Sequence, residues 1–220
     1  MKTFQDLQEG VYDPNILKAF FLAGGPGSGK SYVVKRGTGG LGLKIVNSDD
    51  VFEKYIKDAG LSMKMPKSEE EPRDKLRDRA KAVTKARMSN YVEGRLGLII
   101  DGTGKDYDKI ATQATGLKQL GYDVHMIFVN TSLETALKRN AERERTVPRS
   151  VATKSWKTVQ TNMGKFSQYF RQNFIVVDNN DSDEDVMGPV YKQVMSLVKK
   201  KVQNKTGQQW IAMELQKKKR

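Results

Sequence analysis

Eight consecutive residues, Gly24-Gly25-Pro26-Gly27-Ser28-Gly29-Lys30-Ser31, follow the short apolar run "KAFFLA". They satisfy the pattern G-x-x-x-x-G-K-[ST] at every fixed position. The chemistry is that of a phosphate cradle: residues without a Cβ let successive N–H groups converge on phosphate oxygens, and a following helix N-terminus adds partial positive charge. Gly25, Gly27, Ser28 and Gly29 would form the cradle, Lys30 would reach the β and γ phosphates, and the Ser31 hydroxyl would ligate Mg²⁺. A glycine-rich turn between strand and helix can have this composition without a ligand, but the flanking strand and helix are both predicted here. The loop implies nucleoside triphosphate binding and leaves the reaction type open.

Other residues narrow the reaction. Asp101 closes the apolar run "LGLII", the place for a metal-supporting acid beside the loop. It is followed by Gly102 and Thr103 rather than a second acid, which counts against a motor-type ATPase. "VNSDD" puts Asp49 and Asp50 at the end of a second strand; Asp49 is read as a base for an attacking hydroxyl and Asp50 as a helix cap or substrate ligand. In "KRNAERERTVPR", Arg139 and Arg143 lie four apart on one predicted helix face, just before the break at Val147-Pro148. That is the pattern of a mobile lid carrying arginines to a transferring phosphoryl group, with Arg145 and Arg149 as weaker candidates. A solvated helix with Glu134–Lys138 pairing is the plainer alternative.

The elements that must position these residues alternate between strand and helix. Strands are predicted at 18–24, 43–48, around 95–101, at 122–132 and at 174–179. Helices are predicted from Lys30, from Asp49 or Asp50 to Gly60, over 68–95, 107–121, 133–145, about 150–170 and 183–203. Residues 63–72 read as an exposed loop, and the less polar stripe of the long helix is Leu76, Ala80, Val83, Ala86 and Tyr91. The expected fold is α/β, with helices covering both faces of a central parallel sheet of about five strands.

Composition limits the chemistry further. Without cysteine there are no disulfides or thiolate metal sites, and the single histidine, His125, is read as structural. No run approaches the roughly 18 apolar residues of a bilayer span, so a soluble, cytoplasmic protein with no membrane contact is expected. Of the net charge of +13, residues 199–220 carry eight Lys or Arg against one Glu, or +7. This segment is either a solvated tail or a polyanion contact, and its apolar cluster around Trp210 is expected to dock on the body or a partner.

"GGPGSGKS", "VNSDD", "IIDGT" and "KRNAERERTVP", in this order, resemble the P-loop kinases that include polynucleotide 5′-hydroxyl kinases and zeta toxins, over roughly residues 18–180. The resemblance implies ATP and Mg²⁺ held by Lys30 and Ser31, an acceptor hydroxyl activated by Asp49, a γ-phosphate contact from Arg143 with help from Arg139, and the strand order 2-3-1-4-5. It also implies a three-layer P-loop NTPase fold of kinase type; residues 1–198 are read as a kinase-like domain and 199–220, set apart by charge, as a basic extension. Polynucleotide kinases usually carry an arginine shortly after the paired acids, where this chain reads "DDVFEKY". The expected activity is transfer of the γ-phosphoryl group to a hydroxyl of a polynucleotide 5′ end, nucleotide or nucleotide sugar. A nucleotide-gated nucleic-acid-binding module without kinase activity is the alternative.

Overall fold

The computed structural model describes residues 10–143, 145–180 and 187–218. Its centre is a five-stranded parallel sheet of β1 (Lys18–Ala23), β2 (Lys44–Val46), β3 (Leu98–Asp101), β4 (Asp123–Asn130) and β5 (Phe174–Asp178). The order is β2-β3-β1-β4-β5, as expected. Every residue of β1 is buried, because helices cover both faces of the sheet. Ala19, Phe21 and Ala23 point into one layer, with α4 (Tyr107–Gln119), α6 (Arg149–Phe170) and the edge of α3 (Glu70–Glu93). Phe20 and Leu22 point into the other, with α1 (Lys30–Gly37) and α7 (Met187–Lys199). A smaller cluster of Phe52, Ile56 and Ala80 joins α2 (Ser48–Asp58) to α3.

Several boundaries differ from the sequence expectation, among them the helix expected to reach 203, which ends at Lys199, and three differences have identifiable reasons. The cap of α2 is Asn47, whose side chain accepts the N–H of Asp49, so neither Asp49 nor Asp50 caps the helix; both lie in its first turn. The helix expected over 133–145 is α5 (Leu133–Ala141), four residues shorter at its C-terminal end. There the buried Asn140 side chain donates to the carbonyl of Val147 (2.7 Å) and accepts its N–H (3.2 Å), pulling the chain into a turn. Arg139 and Arg143 therefore do not share a helix face. Residues 67–69 form a 3-10 turn leading into α3, and of the expected α3 stripe only Ala80 is fully buried while Ala86 is exposed. The start expected for the last helix at 183–186 lies outside the described residues.

The basic segment after residue 199 contains a further helix, α8 (Lys205–Lys217), with Trp210 and Ile211 packed on the main core. Asp123 anchors it: the carboxylate accepts the N–H groups of Gln203 and Asn204 and pairs with the buried ammonium of Lys18 at 2.8 Å. Lys18 and Asp123 begin β1 and β4, so α8 docks at the amino edge of the sheet. No helix among the described residues is long and apolar enough to cross a membrane.

His125 is structural in its surroundings. Its ring stacks on Phe20 at 4.9 Å, and neither nitrogen has a hydrogen-bond partner. Burial, aided by the charge of Lys18, lowers its pKa from 6.5 to about 4. The fold thus favours neutral imidazole, and stability should fall as pH drops from 6.5 towards 4, by up to roughly 1.4 kcal/mol per pH unit from this group. Urea unfolding of His125→Phe between pH 7 and 4.5 should show a shallower loss than the wild type; equal slopes would contradict the assignment.

Candidate active site

The phosphate cradle is built where the chain leaves the centre of the sheet. Gly27 and Gly29 have φ of +80° and +86°, and a Cβ on Gly27 would stand 2.0 Å from the carbonyl oxygen of Ala136 in α5. The loop can therefore take this path only with glycine at that point. Asn179, just past β5, donates to the carbonyl of Ser28 at 2.8 Å and closes the loop from the other side. The Lys30 ammonium lies along the loop, donating to the carbonyls of Gly24 (2.7 Å) and Gly25 (3.3 Å). Burial lowers its pKa, opposed by the nearby charge of Asp101. Ser31 is exposed in the first turn of α1.

The carboxylates converge on the same edge because parallel strands all end there. Leu22 of β1 pairs with Asp101 of β3, which sets Asp101 one strand away from the start of the loop. Asn47 joins the acids: its amide donates to Asp101 Oδ2 (3.0 Å) and Asp50 Oδ1 (2.9 Å), while its oxygen caps α2 at 2.8 Å. The other Asp101 oxygen is buried with no hydrogen-bond partner. Burial raises the pKa of Asp101 against the pull of Lys30, and burial with the neighbouring Glu53 raises that of Asp50.

Asp49 is pushed the other way. Burial alone would raise its pKa, but the hydrogen bond and charge of Arg77, with help from Arg145, outweigh it and lower the value. Arg77 Nη1 donates to Asp49 Oδ1, and Arg145 lies 3.6 Å from the same oxygen and 3.4 Å from Glu53. Arg77 also lies over the Phe52 ring at 4.7 Å. Arg143 is exposed, yet its charge acts on both Lys30 and Asp101. Arg139 turns elsewhere, donating to the carbonyls of Asn179 (2.6 Å) and Asn180 (3.3 Å) at the end of β5. Of the two lid arginines read from the sequence, then, one acts on the charged centre through its charge, without a hydrogen bond or ion pair there among the described residues, and one braces the strand end.

A cleft of about 870 Å³ opens beside Asp101 between α3 and α4, lined in part by Ser48, Met88, Lys85, Lys105 and Lys109. A second pocket, of about 550 Å³, lies between α2, α3 and the turn after Arg145.

The Zeta toxin family model matches residues 6–187. This chain belongs to the zeta toxin family. As a zeta toxin family member it is a P-loop kinase, and its nucleotide use follows from that class. A search of curated proteins returned no match. Among solved structures, a Chloroflexus aurantiacus protein assigned as a kinase is similar at 15% identity and TM-score 0.59, over 81% of this chain and 97% of that one. A chain of the PezAT chromosomal toxin–antitoxin system of Streptococcus pneumoniae is similar at 17% identity and TM-score 0.56, over 87% and 85%. A chain of the Pnkp1/Rnl/Hen1 RNA repair complex gives 19% and 0.53, over 74% and 49%. At such identities the likeness is one of fold.

Within this zeta toxin family fold, two site residues were not picked out by the sequence reading. Arg77 sits 28 positions from Asp49, on a helix read only for its apolar stripe. Its signal was the Arg73–Arg77 spacing of four, the same spacing that drew attention to Arg139 and Arg143. Asn47 is a favoured cap residue directly before "SDD".

Loss of the Asn47 side chain removes a cap and the bond to Asp101 together. Asn47→Ala should cost about 1–3 kcal/mol in urea unfolding. Asn47→Asp keeps a capping oxygen but adds a carboxylate against Asp50 and Asp101, so its deficit relative to wild type should shrink from pH 7 to pH 5. A pH-independent deficit would contradict this arrangement.

Proposed function

We propose that this kinase transfers the γ-phosphoryl group of ATP, with Mg²⁺, to a hydroxyl of an acceptor entering by the cleft between α3 and α4. The observation that carries the reading is the meeting of Lys30, Asp101 and Asp49 within electrostatic reach of one another, with Asp101 lining that cleft. The residues fit the donor and its ion. The cradle admits no Cβ at Gly27, the Asp101 oxygen left without a hydrogen bond is an available donor atom, and Ser31 lies in the first turn of the helix behind the loop. No group of three metal-ligating side chains occurs among the described residues, which suits an ion held by one or two protein oxygens together with phosphates. Mg²⁺, when bound, supplies neutralisation of charge building between the β and γ phosphates.

The remaining work belongs to the chain. Lys30 exchanges its loop carbonyls for phosphate oxygens. Asp49, kept ionised by its arginines, accepts the proton of the acceptor hydroxyl as that oxygen bonds to the γ-phosphorus and the bond to the ADP oxygen breaks. Arg143 supplies charge to the transferring group, and Arg139 supports the site indirectly through the β5 end. The lysines along the cleft suit an anionic acceptor such as a polynucleotide 5′ end, a nucleotide or a nucleotide sugar. Any polyanion contact of the C-terminal segment lies at the opposite edge of the sheet and would not deliver the hydroxyl.

Incubation with γ-labelled ATP, Mg²⁺ and a panel of 5′-hydroxyl DNA and RNA, nucleosides and nucleotide sugars should label an acceptor. Arg143→Ala should slow that transfer by roughly 10²–10³-fold with little change in nucleotide affinity. Salt-sensitive retention of nucleic acid with no label in any acceptor would favour a binding module instead.

A further inference from the structure

The lysines that lead from α7 into α8, Lys199, Lys200, Lys201 and Lys205, are all exposed, and none has an ion pair among the described residues. The acids of this edge are committed elsewhere. Asp123 is taken by Lys18 and by the N–H groups of Gln203 and Asn204, and Glu214 by Lys217 at 2.7 Å. Local structure accounts for Lys199, which lies in the last turn of α7, where a cation complements the helix dipole. It does not account for the other three. Lys200 and Lys201 lie beyond that helix, and Lys205 opens α8, the end where a cation is unfavourable and where no acid stands in the first turn. Lys118, near the end of α4, joins the group, because the α8 cap Asn204 donates to its carbonyl at 2.7 Å and so brings the two helix ends together.

The surroundings decide which polyanion suits these charges. Lysines are point charges that meet phosphates without the forked geometry that reads base edges. Trp210 and Ile211 of α8 pack on the main core, and Val190, Val194 and Val198 of α7 are buried. Neither helix therefore keeps an apolar stripe to sink into a bilayer. The aromatic rings are engaged as well: Tyr169 lies under the Lys118 ammonium at 4.1 Å and Tyr12 under that of Lys218 at 5.0 Å. Among the described residues no free ring stands beside these lysines as a platform for unpaired bases.

We propose that the amino edge of the sheet, through Lys118, Lys199, Lys200, Lys201 and Lys205, binds the phosphate backbone of duplex nucleic acid without sequence preference. The nucleotide cradle lies at the carboxyl edge, so duplex and nucleotide bind independently, and the chain can hold the polymer while its reaction centre faces away from it.

The test is fluorescence anisotropy of a short labelled duplex, as DNA and as RNA, with the full chain over a series of salt concentrations. Log affinity should fall linearly with log salt, with a slope of about −4. Lys200→Gln, Lys201→Gln and Lys205→Gln should each make the slope shallower by about one, and together weaken binding about tenfold or more at fixed salt. Lys75→Gln, an exposed α3 position outside the patch, should leave the slope unchanged. Urea unfolding of the three patch variants should match the wild type, so that a shallower slope reports lost contact rather than lost fold. A duplex of scrambled sequence should bind equally, and a saturating unreactive ATP analogue should not displace it. Absence of binding to both duplexes at low salt, or a slope that Lys75→Gln changes as much as the patch variants do, would overturn the assignment. So would displacement by the ATP analogue, tighter binding of unpaired strands, or a preference for vesicles containing phosphatidylserine over the duplex. No turnover enters the measurement, so its outcome is separate from that of the transfer assay.

Discussion

The structure depends on opposite charges being held together at the carboxyl edge of a parallel sheet, partly withdrawn from water. An ammonium or carboxylate removed from solvent costs several kcal/mol unless fixed partners replace the lost hydration. Here the partners are backbone carbonyls, one amide and one guanidinium: Lys30 on two loop carbonyls, Asp101 on Asn47, Asp49 on Arg77. The sheet is what makes this possible. Three parallel strands deliver the cradle, Asp101 and the start of α2 to one edge, and packing on both faces keeps those strand ends in register.

The same arrangement gives the carboxylates different electrostatic surroundings. Asp101 and Asp50 have raised pKa values because burial dominates, while Asp49 lies below the ordinary value because arginines overcome burial. Neighbouring acids pushed apart in this way commonly carry different roles at a reaction centre. The opposite edge of the sheet serves stability. There the Lys18–Asp123 pair is almost wholly buried and holds α8, so the most basic stretch of the chain lies away from the chemistry.

What the sequence revealed, and what it hid, follows from the range of each interaction. The cradle is a local pattern, since its glycines, lysine and serine are contiguous and its flanking strand and helix have simple periodicity. Asp49 and Asp101 were visible because strand ends in a parallel sheet share an edge. Arg77 was not, because its partner is on another helix and only tertiary packing of Phe52 against α3 brings them together. The end of α5 was misplaced for a similar reason: a charged, helix-favouring stretch is stopped by a side-chain bond from Asn140 to Val147 that no propensity encodes. The docking of α8 was foreshadowed by Trp210, but its anchor on Asp123 spans 80 positions.

The central claim is that Asp49 takes the acceptor proton while the cradle binds nucleotide independently of it. Single-turnover transfer of the γ-phosphoryl group by Asp49→Asn, measured beside its affinity for an unreactive ATP analogue, tests this most directly. The account predicts a loss of transfer of about 10²–10⁴-fold with affinity changed by no more than a factor of about two. Transfer at the wild-type rate would contradict it.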